Sequence, residues 1–115
     1  MKDEYKMVKF LGFRIRIGLH DEDKEKGGCV YEDEEFHCIE FFGVITNDIL
    51  IHECWHLFHR LLYKMDKLQR DALGYNTELH AYAFSSLCDL ILGEATSMRK
   101  YKRMYKSFND KKGKD

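Results

Sequence analysis

The sequence predicts an α+β domain: a small antiparallel sheet built from roughly the first forty residues, packed on three helices built from the rest. Two patterns carry that reading. Apolar and polar residues alternate in part from Tyr5 to Leu19, and an apolar period of helical spacing sets in at Asp48. A chain of 115 residues is long enough for one hydrophobic core. We read residues 1–108 as a single domain and expect 109–115 to be a disordered, lysine-rich tail, the composition of that tail being too polar to bury.

Taking the elements in order, Tyr5 to Leu19 carries Val8, Phe10, Phe13, Ile15 and Ile17 and reads as a strand broken near Gly12. Gly18 to Gly28 is charged and turn-rich, as a loop is. Cys29–Tyr31 and Phe36–Phe42 read as a hairpin turning through Asp33 and Glu34. Thr46, Asn47 and Asp48 supply N-cap chemistry for the long run from Asp48 to Leu68. Gln69 to Tyr75 reads as a connection, and Asn76-Thr77 as a second cap ahead of a helix that Gly93 ends. Glu94 to Phe108 reads as a third, basic helix.

Inside the first helical run stands His52-Glu53-Cys54-Trp55-His56, an H-E-x-x-H sequence. Residues four apart lie within about 40° of each other on a helix, so the two imidazoles can share one zinc ion. Glu53 sits about 100° round from His52, beside the metal, where it can act as general base on a zinc-bound water. The remaining positions segregate by face. Leu50, Cys54, Trp55, Leu57, Phe58, Leu61, Leu62 and Met65 form an apolar arc, while Glu53, His52, His56, His59 and Tyr63 share the other side.

A catalytic zinc usually takes three protein ligands and leaves one position open. The candidates for the third are His59, Glu78 and His80. His59 would have to reach back over its own turn. Glu78 and His80 point about 160° apart on the next helix, so only one faces the pair. Ala81, Phe84, Leu87, Cys88, Ile91 and Leu92 define that helix's apolar stripe, with His80 at its edge and Glu78 on the flank with Tyr82, Ser85 and Asp89. Face geometry favours Glu78. Tyr82, one turn further, could donate to an oxyanion, and Asp89 or His59 could orient a ligand histidine.

The sequence His52-Glu53-x-x-His56, followed by Glu78-x-x-Ala81-x-x-Phe84, resembles the ImmA/IrrE-type zinc metallopeptidases over about Ile45 to Leu92. The resemblance implies a minimal zincin fold with Zn²⁺ on His52, His56 and Glu78. It also implies peptide-bond hydrolysis with Glu53 as catalytic base and a protein or peptide substrate; the catalytic role expected of Tyr82 rests on its position alone. The chain departs from the family at Trp55, where a small residue often precedes the second histidine. A strand ahead of the motif helix is where substrate would add to the sheet edge.

Several classes are excluded or set aside. No apolar run is long enough to span a membrane, and Met1-Lys2-Asp3-Glu4 is unlike a signal peptide, so a cytoplasmic protein is expected. Cys29, Cys38, Cys54 and Cys88 show no C-x-x-C spacing and are expected as reduced thiols. Residues 1–48 carry 7 basic and 12 acidic side chains, whereas residues 94–115 carry 8 and 3. No nucleic-acid module is recognisable, and the basic segment is expected to complement the acidic half of its own chain. The alternative function is a catalytically silent, zinc-stabilised structural or regulatory binding module of a phage or mobile element.

Overall fold

A computed structural model describes residues 3–22, 27–75 and 77–106. β1 (Asp3–Phe10) and β2 (Phe13–His20) form a hairpin rather than one broken strand. Leu11 and Gly12 both have left-handed backbones, with φ of 50° and 85°, the conformation that a two-residue hairpin turn matching strand twist requires. β3 (Gly28–Glu32) and β4 (His37–Phe42) form the second hairpin at the expected place.

The sheet is mixed, which corrects the expectation of an antiparallel one. Its order is β1-β2-β4-β3, with β2 and β4 parallel from Ile15↔His37 to His20↔Phe42. Burial explains the order. Every residue of β4 from His37 to Phe41 is buried, so β4 takes the interior position, and β3, with Glu32 exposed, takes the edge. Reaching the edge first and turning back leaves β4 running with β2.

α1 (Asn47–Lys64) begins where expected: Thr46 Oγ1 accepts from the Ile49 N–H at 3.3 Å. It stops four residues short of Leu68, because Met65 is extended, and the Asp66 carboxylate then caps a new helix through the Gln69 N–H at 3.0 Å. The presumed connection is therefore α2 (Lys67–Tyr75). α3 (Thr77–Thr96) runs through Gly93 instead of ending there. A side chain at Gly93 would meet nothing within 4 Å, so this is an open helix surface where glycine costs about 1 kcal/mol of propensity without breaking the helix. Glu94 to Thr96 thus belong to α3, and the third helix shrinks to α4 (Tyr101–Met104). Phe108 and residues 109–115 lie outside the described residues.

Ile15, Ile17, Leu19, Ile39 and Phe41 of the sheet meet Leu50, Cys54, Leu57, Phe58 and Leu61 of α1, and Leu87, Ile91 and Ala95 of α3, in one core. Trp55, Ala81 and Leu92, expected in the apolar arcs, are exposed. The last described strand-like contact pairs Ile45 with Tyr105, so the residues after α4 are tied to the entry of α1. The basic segment does face the acidic N-terminal half: Lys100 Nζ lies 2.6 Å from Asp21, and the Glu4 carboxylate accepts from the Arg99 and Lys100 N–H groups at 2.9 and 2.8 Å. All four cysteines are free, with Cys38 and Cys54 buried. No helix among the described residues is long and apolar enough to cross a membrane.

The sheet face away from the helices holds a polar cluster that the sequence did not announce. His20 contacts Asp3 through Nδ1 at 2.8 Å and Glu40 through Nε2 at 2.7 Å, and Glu40 also meets Arg16 at 3.1 Å and accepts from the Tyr31 hydroxyl. Gly18 makes room for it, since a side chain there would lie 3.1 Å from both Glu40 and Tyr5. Burial, and then the bond to Glu40, push the Tyr31 hydroxyl pKa well above the ordinary tyrosine range.

Candidate metal centre

α1 lies with its polar face along the edge strand β3, and the space between them is a groove of about 1190 Å³. His52, Glu53, His56, His59, Arg60, Tyr63 and Lys64 line it from the helix, with Gly28, Val30 and Glu32 from β3 and His37 from β4. The helical period that put His52 and His56 on one face holds. Their Nε2 atoms are 3.1 Å apart, with the ring planes at 81°.

That spacing fits a shared metal. Two nitrogens at about 2.0–2.1 Å from a tetrahedral zinc are about 3.3 Å apart, so the two rings match one edge of such a site with little movement. Neutral imidazoles at this distance can also share one N–H, which leaves both nitrogens available once that proton is released.

Glu53 differs from its expected place. Sequence periodicity put it on the polar flank, yet it is 7 % exposed and seated against β3. A side chain at Gly28 would lie 2.8 Å from Glu53 Cγ and 2.9 Å from the Glu40 carbonyl oxygen. The bare strand at Gly28 therefore gives the carboxylate its berth, next to the histidine pair. Among the described residues Glu53 makes no hydrogen bond or ion pair, so it lines the groove without a partner that would occupy it.

No family model, curated protein or solved structure matches this chain.

The other expected site residues are dispersed. Glu78 is in the first turn of α3 as read, but it is exposed, and among the described residues no three His, Cys, Asp or Glu side chains gather as a metal-binding group. Tyr82 is 68 % exposed and does not line the groove, nor does Asp89. The side chain that α3 turns toward α1 is His80. Its Nδ1 lies 3.2 Å from the Leu73 carbonyl, and its ring packs edge-on at 5.0 Å from Phe58 and 6.4 Å from His59. The packing of Phe84 on Trp55 and Phe58, and of Leu87 in the core, sets that rotation. With His80 turned inward, a residue two positions earlier must face out. Cys54, inside the motif, hydrogen-bonds Cys88 of α3. That bond and burial hold its thiol above the ordinary cysteine pKa, so it packs as a small apolar group.

Sequence reasoning missed Gly28, His37 and Arg60. Arg60 was within reach, four residues past His56 on the same face. Gly28 and His37 were not, because they join the site only through the pairing of strands and the docking of α1. His37 is buried, its Nδ1 has no hydrogen-bond partner, and its ring stands edge-on to Phe13. Burial, helped by Lys64 and Arg60, lowers its pKa below the ordinary 6.5. Burial also lowers that of His59, together with the nearby His80 and His56. In the unfolded chain these rings bind protons more readily than in the folded one, so stability is complete above about pH 6.5 and falls as pH drops below it. The urea midpoint is expected to decline between about pH 7 and 5, and His37→Gln should flatten that decline. An unchanged slope in His37→Gln would show that His37 does not contribute.

Proposed function

We propose that this protein is a zinc-dependent peptide hydrolase whose active centre is the groove between α1 and β3. The observation that carries the reading is the 3.1 Å approach of the His52 and His56 Nε2 atoms next to the buried Glu53. His52 and His56 would hold the metal, and Glu78, the carboxylate that the family resemblance carries over, would complete the set by turning in from the exposed first turn of α3. A zinc ion held there would supply Lewis-acid chemistry, polarising the scissile carbonyl and making water a stronger nucleophile. Glu53 takes the proton of the attacking water on its carboxylate and hands it to the leaving amine. The free edge of β3 holds the substrate backbone extended along the groove through main-chain hydrogen bonds. Tyr82, outside the groove lining, would serve as oxyanion donor only with that same turn of α3.

A second reading, a catalytically silent zinc-stabilised binding module, is favoured by one observation: Glu78 and Tyr82 both stand outside the groove. Elemental analysis after exhaustive dialysis, run on wild type, His52→Ala, Glu78→Ala and His80→Ala beside a peptidase assay on denatured protein, separates the possibilities. The hydrolase predicts about one zinc per chain in wild type and His80→Ala, much less in His52→Ala and Glu78→Ala, and cleavage that chelation abolishes. Zinc with no cleavage, and unfolding on chelation, selects the binding module. A wild type that holds no zinc even when refolded with it ends both readings.

A further inference from the structure

We infer that the groove binds a carboxylate of its ligand at the end beyond His56, so that the peptides it takes are acidic close to the bond presented to Glu53. This rests on the reading of the groove as a peptide site.

The polar stripe of α1 continues past the histidine pair at the same spacing: His52, His56, Arg60, Lys64, all facing the groove. Its charge is graded along the helix. Asp48 and Glu53 stand at the N-terminal end, Arg60 and Lys64 at the other. Lys64 is engaged with Glu32 at 3.3 Å through side chains about half exposed, a weak tie. Arg60 is exposed and, among the described residues, has no hydrogen bond or ion pair.

Basic residues in the last turns of a helix favour its dipole without any ligand. What marks this end as a site is the wall opposite. His37 is 6 % exposed, lines the groove, and leaves a buried Nδ1 unpaired. Lys64 and Arg60 lie close enough to act on the His37 ring electrostatically, so this end of the groove gathers nitrogen groups from both walls. An arginine fork facing a carboxylate is the pairing that this geometry suits best, since the guanidinium offers parallel N–H donors.

Arg60 lies one helical turn, about 6 Å, beyond His56. An extended peptide rises about 3.3 Å per residue, so the carboxylate belongs within about two residues of the bond at the histidine pair. Two sources could supply it, an Asp or Glu side chain or the C-terminal carboxylate of the peptide.

The test is binding, measured on Glu53→Gln so that nothing is turned over. Dye-labelled neutral peptides carrying one glutamate, moved position by position, are titrated by fluorescence anisotropy, each as free acid and as C-terminal amide, against the matching glutamine peptide. One glutamate position is expected to bind about tenfold tighter than glutamine, with a preference that shrinks as salt rises. Arg60→Gln should erase the preference, and Arg60→Lys should keep part of it. If tighter binding follows the free acid wherever the glutamate stands, the carboxylate is the chain terminus and the site stands. Glutamate peptides that bind no better than glutamine ones, a preference that survives Arg60→Gln, or no binding at all overturns the inference. Failure of the hydrolase reading looks different: Arg60-dependent binding of acidic peptides that zinc-loaded wild type never cleaves. Cleavage by wild type without acidic preference removes the subsite alone.

Discussion

Glu53→Gln is expected to lower peptide hydrolysis by about 10²–10⁴-fold while zinc content and thermal stability stay close to those of wild type. The amide keeps the size and shape of the carboxylate, so the berth against Gly28 is filled as before. It cannot accept the proton of the attacking water, and the groove lining offers no second carboxylate beside the histidine pair except Asp48, one turn earlier on α1. The loss should fall on kcat, with KM little changed, because in the proposed mechanism Glu53 acts on the water and not on the bound peptide. Unchanged hydrolysis in this variant would sink the mechanism. Lost zinc would instead make Glu53 part of the metal's support.

Gly28→Ala is expected to destabilise the fold by about 1–3 kcal/mol and to impair hydrolysis further than that loss explains. The added Cβ meets the Glu40 carbonyl oxygen at 2.9 Å, which is sheet backbone and cannot move alone, and Glu53 Cγ at 2.8 Å. Relief on one side parts β3 from β4, and on the other it pushes Glu53 away from the histidine pair. Thermal denaturation read beside the rate distinguishes the two routes, since a stable but slow variant is one in which Glu53 has yielded. A variant as stable and as fast as wild type would mean that Glu53 is not seated against β3. Exposed Gly93→Ala, which meets no neighbour within 4 Å, is the control and should gain stability rather than lose it.

Much of the local structure was legible because it depends on neighbours in the chain. The Thr46 cap, the face shared by His52 and His56, the hairpin through Asp33 and Glu34, and the alternation of Ile15, Ile17 and Leu19 all follow from periods of about 3.6 and 2. Where a stretch of sequence was misread, a local rule had met a stronger contact. Gly93 looked like a stop, but Ile91 and Ala95 bury on either side of it and carry α3 through. Leu11-Gly12 looked like a break, yet two left-handed residues in a row close a hairpin.

By itself, then, the sequence determined an α+β chain with two imidazoles paired on one helix face and a carboxylate next to them. Only the tertiary structure decided that β4 lies inside β3, that Glu53 sinks into a space Gly28 leaves open, that His80 and not Glu78 turns toward α1, and that His37 lines the same groove as Arg60. Each of these depends on which surfaces meet. A side chain's angle about its own helix is set by bonds close in sequence, but its depth and its partners are set by the rotation at which helix and sheet pack, where many apolar contacts such as Phe58, Phe84 and Leu87 outweigh the preference of any one polar residue.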